Sequence, residues 1–181
     1  MATTSSGGRP DLVSTLVRSA FLVNEVYAES ARGLGLTPQQ GQLLCVLMAR
    51  PHGMGELGGV LGLARSSLTG LVDRTAQRGM VRREPGPGDA RAVRVALTPE
   101  GTGLAELFYA DARCRIDALA DGIGEAGRGA LAELLDRMVE QNGAPVVFLA
   151  CGHHPPTDRL PGLPAAERTA TWTAERAPAT G

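Results

Sequence analysis

The sequence predicts a mainly helical fold with a small β-hairpin wing, a winged helix-turn-helix framed by helices at both ends. Three observations predict it. Apolar residues recur at helical spacing in six separate segments. Only two short stretches, 80–84 and 91–97, are β-compatible, and the turn sequence Pro85-Gly86-Pro87-Gly88-Asp89 lies between them. The arginines gather around those same segments.

The elements follow in order. Residues 1–10 are rich in Ser, Thr and Gly and are expected to be disordered. Over 11–32, Leu12, Leu16, Ala20, Val23 and Tyr27 form one apolar stripe, which Gly33 and Gly35 end. Thr37-Pro38 opens a second helix with an N-cap residue and a proline suited to the first turn. Its inward face is Leu43, Leu44, Leu47 and Met48, and Pro51-His52-Gly53 is a stop and turn. A short, glycine-rich helix over 55–61 needs packing to hold it. Gly62 makes the turn to a helix over 65–78, where Leu68, Leu71, Val72 and Thr75 face inward. Ser66, Gly70, Asp73 and Gln77 face the other way, flanked by Thr69 and Arg74.

After Gly79 comes the hairpin, with a tip of five to six residues and with Val93, Val95 and Leu97 on one face. Thr98-Pro99-Glu100 repeats the N-cap signal. Leu104, Leu107, Phe108, Ala112, Ile116 and Leu119 then mark a long helix to about residue 120. Residues 121–124 break it, and Leu131, Leu134, Leu135, Met138 and Val139 mark a last helix that ends near Asn142-Gly143. The Pro-, Thr- and Ala-rich residues beyond it are expected to form a disordered tail.

Composition narrows the function. The chain has 181 residues, enough for one domain or one domain plus a tail. No apolar run is long enough for a membrane span, and the start lacks a signal-peptide stretch, so a cytoplasmic protein without a membrane partner is expected. Three separated cysteines, Cys45, Cys114 and Cys151, argue against a disulfide framework. All 18 basic residues are Arg, which with abundant Gly, Pro and Ala reflects a GC-rich genome rather than a function. Net charge is −1, yet residues 56–97 hold seven Arg against four acids. A basic module in an acidic body points to an anionic partner for that module.

Physics gives each part of that module a task. Small residues on the outer face of the 65–78 helix let it sit deep in a major groove. Its first turn offers free N–H groups and Ser hydroxyls to a phosphate. Arg91, at the hairpin tip, suits a narrow, electronegative minor groove. Arg74, Arg78, Arg82 and Arg94 sit where phosphates would be met.

The stretch LTPQQGQLLCVL, followed by GELGGVLGLARSSLTGLVDRTAQRGMVRREPGPGDARAVRVALTPEG, resembles the MarR family of multiple antibiotic resistance regulators. The likeness covers about residues 36–101, and the helix pattern extends it to about 11–142. It implies a homodimer on double-stranded, pseudo-palindromic DNA, acting as a repressor. It implies dimerisation helices over 11–35 and 102–143 around a DNA-binding domain over 36–101, with residues 144–181 outside the family core. Carried over by motif, Arg65, Ser66, Ser67, Thr69 and Arg74 belong to the recognition helix. Asp89 and Arg91 match the wing-tip pair, in which the Asp steadies the tip and the Arg reaches the minor groove. A small aromatic or phenolic effector is also implied; Tyr27, Met48 and Phe108 are its candidate lining, with plain core packing as the alternative.

Two departures stand out. Ala64 occupies the recognition-helix N-cap, where the family has Ser, Asp or Thr; Ala caps worse by about 1 kcal/mol. Either the cap shifts to Ser66 or the helix start frays. Asp73 faces the groove and repels phosphate unless Arg74 or a wing Arg pairs with it.

Other readings are weaker. Redox sensing would need a reactive thiol in an accessible, cationic setting at Cys45 or Cys114. Cys151, His153 and His154 have zinc-ligand chemistry but no second ligand pair, so no metal site and no cofactor are expected. A protein-interaction module would want an apolar anchor that the Ser/Thr/Gly surface lacks. No hydrolase elbow, phosphate loop, zinc-protease or dinucleotide motif is present, so an enzyme is not expected.

Overall fold

The computed structural model describes residues 10–86 and 89–143, with the backbone alone for 89–92. Among the described residues, six helices and three strands run in the order α1 (Leu12–Gly33), α2 (Pro38–Leu47), β1 (His52–Gly53), α3 (Met54–Leu61), α4 (Arg65–Gln77), β2 (Val81–Gly86), β3 (Asp89–Leu97), α5 (Pro99–Ala118) and α6 (Glu125–Gln141). The expected termini 1–10, but for Pro10, and 144–181 lie outside the described residues, as do Cys151, His153 and His154.

Local chemistry sets the helix ends. Asp11 caps α1 by accepting from the Ser14 N–H at 2.8 Å. At its other end Gly35 takes φ +65°, so the Leu36 N–H reaches Ala31 O at 2.8 Å and the Gly35 N–H reaches Arg32 O at 3.1 Å. The end of α4 repeats this closure at Gly79 (φ +74°), with Met80 N–H on Thr75 O and Gly79 N–H on Ala76 O. Thr37 and Gln40 form a capping box on α2, each side chain accepting from the other's backbone N–H.

Helix α2 is the hub, touching α1, α3, α4, α5 and β3. Leu43, Leu44, Leu57, Leu68, Leu71, Val72, Met80, Val95 and Phe108 are fully buried around it. All four residues expected on the inner face of the 65–78 helix are buried. Phe108 lies so close to α2 that a Cβ on Gly41 would stand 2.5 Å from its Cε2.

The sheet differs from the sequence reading in two ways. Pro51-His52-Gly53 is not a simple turn: His52 and Gly53 pair with Val95 and Arg94, giving a third strand and the order β1-β3-β2, antiparallel throughout. A two-residue strand is too short to show alternation, so periodicity alone could not reveal it. The hairpin also pairs further out than expected, through Pro85↔Val93 to Gly86↔Asp89. Between those pairs β3 advances four residues while β2 advances one, a bulge that carries Arg91.

Two helical faces are left uncovered among the described residues. Leu12, Val13, Val17 and Phe21 on α1 are half or more exposed, and no residue of α6 is buried. The stripe Leu131, Leu134, Leu135, Met138 and Val139, which marks this last helix in the sequence, is exposed at all five residues. Arg128 ties the start of α6 to Asp117 on α5.

Candidate nucleic-acid interface

Helices α3 and α4 form the helix-turn-helix, and Gly62 makes its turn at φ +63°. Neither expectation for the start of α4 holds. Ala64 is the N-cap, no side chain caps it, and the Leu68 N–H already reaches Ala64 O at 3.0 Å. The helix therefore starts at Arg65 without a shift to Ser66, because packing of Leu68 secures the first turn. The positive end of the helix dipole is left facing outward beside Ser66 and Ser67.

Arg65, Ser66, Ser67, Thr69 and Arg74 are all exposed on α4. Thr69 donates its hydroxyl to Arg65 O at 2.8 Å. Asp73 is paired, and its partner is a wing arginine: Arg83 Nη2 on β2 lies 2.6 Å from Asp73 Oδ1. The pair joins the recognition helix to the wing and cancels the one carboxylate on the helix's outer face.

The arginines divide into two groups. Arg78 donates to Gln40 Oε1 at 3.1 Å, so it fastens the end of α4 to the capping box of α2. Arg82 donates to Leu97 O at 2.5 Å and to Glu84 at 3.0 Å, bracing the hairpin. Arg94 donates to Pro51 O and holds the loop before β1. Arg65 and Arg74 have no hydrogen-bond or ion-pair partner among the described residues. Asp89 and Arg91 stand at the outer end of the wing backbone.

The sequence reading missed the anchoring of Arg78. Its signal was the Thr37-x-x-Gln40 spacing, which marks a capping box and a buried glutamine oxygen with room for a second donor. It also placed His52 in a loop. His52 is buried, with Nδ1 3.1 Å from Glu56 Oε2, a close approach without hydrogen-bond alignment. Arg50 grips the same carboxylate and, by that hydrogen bond first, holds it below the usual glutamate range.

The aromatic candidates come together. Tyr27 and Phe108 ring centroids are 6.1 Å apart, and Met48 packs against the same core. Phe108 is wholly buried, whereas Tyr27 and Met48 are half-buried. Burial pushes the Tyr27 phenol up to about 12, with the charge of Cys45 adding to the shift. Cys45 is buried and Cys114 is exposed. Among the described residues no cluster of three His, Cys, Asp or Glu has metal-binding geometry, and no helix is long and apolar enough to cross a membrane.

A slim exposed helix behind a tight turn, beside a braced hairpin, defines a winged helix-turn-helix DNA-binding protein. A MarR-family model matches residues 34–92, from the end of α1 into β3. The transcriptional repressor NicR of Pseudomonas putida is 33% identical over 135 residues, covering 72% of this chain and 84% of NicR. The multiple antibiotic resistance protein MarR of Salmonella typhimurium is 36% identical over 74 residues, 40% of this chain and 51% of that protein. Apo MarR from E. coli superposes with a TM-score of 0.65 at 25% identity, covering 73% of this chain and 99% of its own. The chain belongs to the MarR family and is a DNA-binding transcriptional regulator, not an enzyme.

Proposed function

We propose that this regulator is a repressor, that it binds a pseudo-palindromic operator as a homodimer, and that a small aromatic or phenolic ligand releases it. The observation that carries the reading is the pair of apolar faces, on α1 and α6, that are bare among the described residues. Phe21 and Leu12 are each 70% exposed, and Leu134 is 58% exposed. Apolar area of that kind gains about 25 cal/mol per Å² when covered. A second copy supplies the same faces in return, as a two-fold interface requires. The dimer then presents two α4 helices to successive major grooves, about one helical turn apart.

Domain roles follow from this arrangement: helices within 11–35 and 102–143 dimerise, and 36–101 binds DNA. Arg65, Ser66, Ser67, Thr69 and Arg74 meet the major groove, while Asp89 and Arg91 serve the wing tip. Arg78, Arg82 and Arg94 are already engaged internally. Their closeness to phosphate therefore needs shared rather than free donors. NicR is a transcriptional repressor, and repression suits a protein that occludes a promoter. The Tyr27–Phe108–Met48 cluster lies between α1, α2 and α5, where a ligand would shift the spacing of the two recognition helices.

Sedimentation equilibrium of the full chain tests the assembly. A dimer is expected, and Leu134→Glu with Phe21→Glu should yield a monomer that no longer binds duplex DNA tightly. A wild-type monomer that binds its operator tightly would contradict the reading. Aromatic acids should displace the operator in the same assay, and release by none of them would remove the effector from the account.

A further inference from the structure

We infer that Arg74, lying across the gap left by Gly70, reads a guanine in the major groove of each half-site. The inference rests on the proposed role of α4 in the groove and names what that helix recognises. Ser66, Gly70, Asp73 and Gln77 form the outward line of α4, opposite the buried Leu68, Leu71, Val72 and Thr75. Arg74 starts on the flank of that line. A Cβ on Gly70 would stand 3.1 Å from Arg74 Nη1 and 3.9 Å from Arg74 Cζ. The guanidinium is thus folded back onto the outer face, in space that any other residue at position 70 would contest.

Competing groups are accounted for. Asp73, next in sequence, is held by Arg83 at 2.6 Å and does not claim Arg74. Arg78, one turn on, is held by Gln40. Arg65 is also uncommitted, but nine residues of helix put it on the opposite flank at the first turn, among the groups suited to phosphate. Arg74 is therefore the cation on α4 that is both unpartnered among the described residues and drawn onto the outward line. A planar fork of donors matches the O6 and N7 acceptors of guanine, and a glycine beside it lets the helix approach the base edges closely.

The test is selection from a library of random duplexes with wild type, Arg74→Ala, Arg74→Lys and Gly70→Ala, followed by titration on the selected duplex. Wild type should select a guanine at one position of each half-site. Arg74→Ala should flatten that position alone and bind the selected duplex about five- to 150-fold more weakly. Replacing that guanine by 7-deazaguanine should weaken wild type about fivefold or more and leave Arg74→Ala unmoved. Arg74→Lys should keep binding to random DNA but lose the discrimination, since an ammonium is a point charge. Gly70→Ala should blunt the guanine preference while its melting temperature holds or rises, because Ala is the better helix former.

A guanine preference that persists in Arg74→Ala overturns the inference, as does a loss equal on all duplexes, which marks a phosphate contact. Wild type selecting no sequence at all overturns the underlying DNA-reading role and the inference with it.

Discussion

Gly101 and Met80 meet backbone to backbone: a Cβ at Gly101 would overlap the Met80 carbonyl oxygen and stand 2.8 Å from its carbonyl carbon. The contact joins three working parts. Met80 follows the glycine that closes α4 and precedes β2, and Gly101 lies in the first turn of α5. Thr98 completes the joint: its hydroxyl donates to Gly79 O at 2.6 Å and accepts from the Gly101 N–H at 3.0 Å. The recognition helix, the wing and α5 are thereby fixed to one another.

Gly101→Ala should therefore destabilise the fold by about 2–4 kcal/mol, since neither backbone can yield as a flexible side chain would. Urea unfolding would show it as a lower midpoint at unchanged slope. Stability equal to wild type would mean that the joint opens at little cost.

Asp73→Asn frees Arg83 and removes a negative charge from the DNA-facing side. An exposed pair contributes little stability, so melting should change by less than about 1 kcal/mol. Binding to random duplex should tighten, with the salt slope steeper by about one. Weaker binding to random DNA would show that the pair chiefly sets the wing's angle.

Arg91→Ala should weaken operator binding by about 1–3 kcal/mol, as loss of a minor-groove contact does. The bulge between Pro85↔Val93 and Gly86↔Asp89 lifts this residue out of the regular ladder at the wing's outer end. Unchanged affinity in a titration would remove the wing tip from the interface.

The pH dependence of stability has a definite sign at Tyr27. Its folded phenol titrates at about 12 against an ordinary value of 10.0, raised first by burial. Its contribution is complete below pH 10 and is lost as pH rises from about 10 toward 12, because the unfolded chain releases that proton first. Absorbance titration should show a late-ionising phenol that Tyr27→Phe removes, and that substitution should flatten this part of the stability profile. An ordinary phenol titration at Tyr27 would contradict its burial.

Much of this was legible from residues. Leu68, Leu71, Val72 and Thr75 fall at helical spacing, and all are buried. Thr37-Pro38 and Thr98-Pro99 open helices as their capping chemistry dictates. Partner choice was not legible. Asp73 needed a cation, but that it is Arg83 rather than Arg74 depends on where β2 passes α4. The pairing of His52 and Gly53 with Val95 and Arg94 depends on strands brought together by α3 and α4, with no local pattern to announce it. Periodicity identified the stripe on α6 but not what covers it, because an apolar stripe reads alike against its own core or a second copy; on α1 it named Leu12 of the exposed face but not Val13, Val17 or Phe21.

The measurement that bears most directly on the central claim is fluorescence anisotropy of duplex DNA from the chain's own promoter region, over a salt series, against random duplex. Nanomolar binding at about 150 mM salt, well above the random control and weakening steeply with salt, is the predicted result. Equal, weak binding to both duplexes would contradict the account.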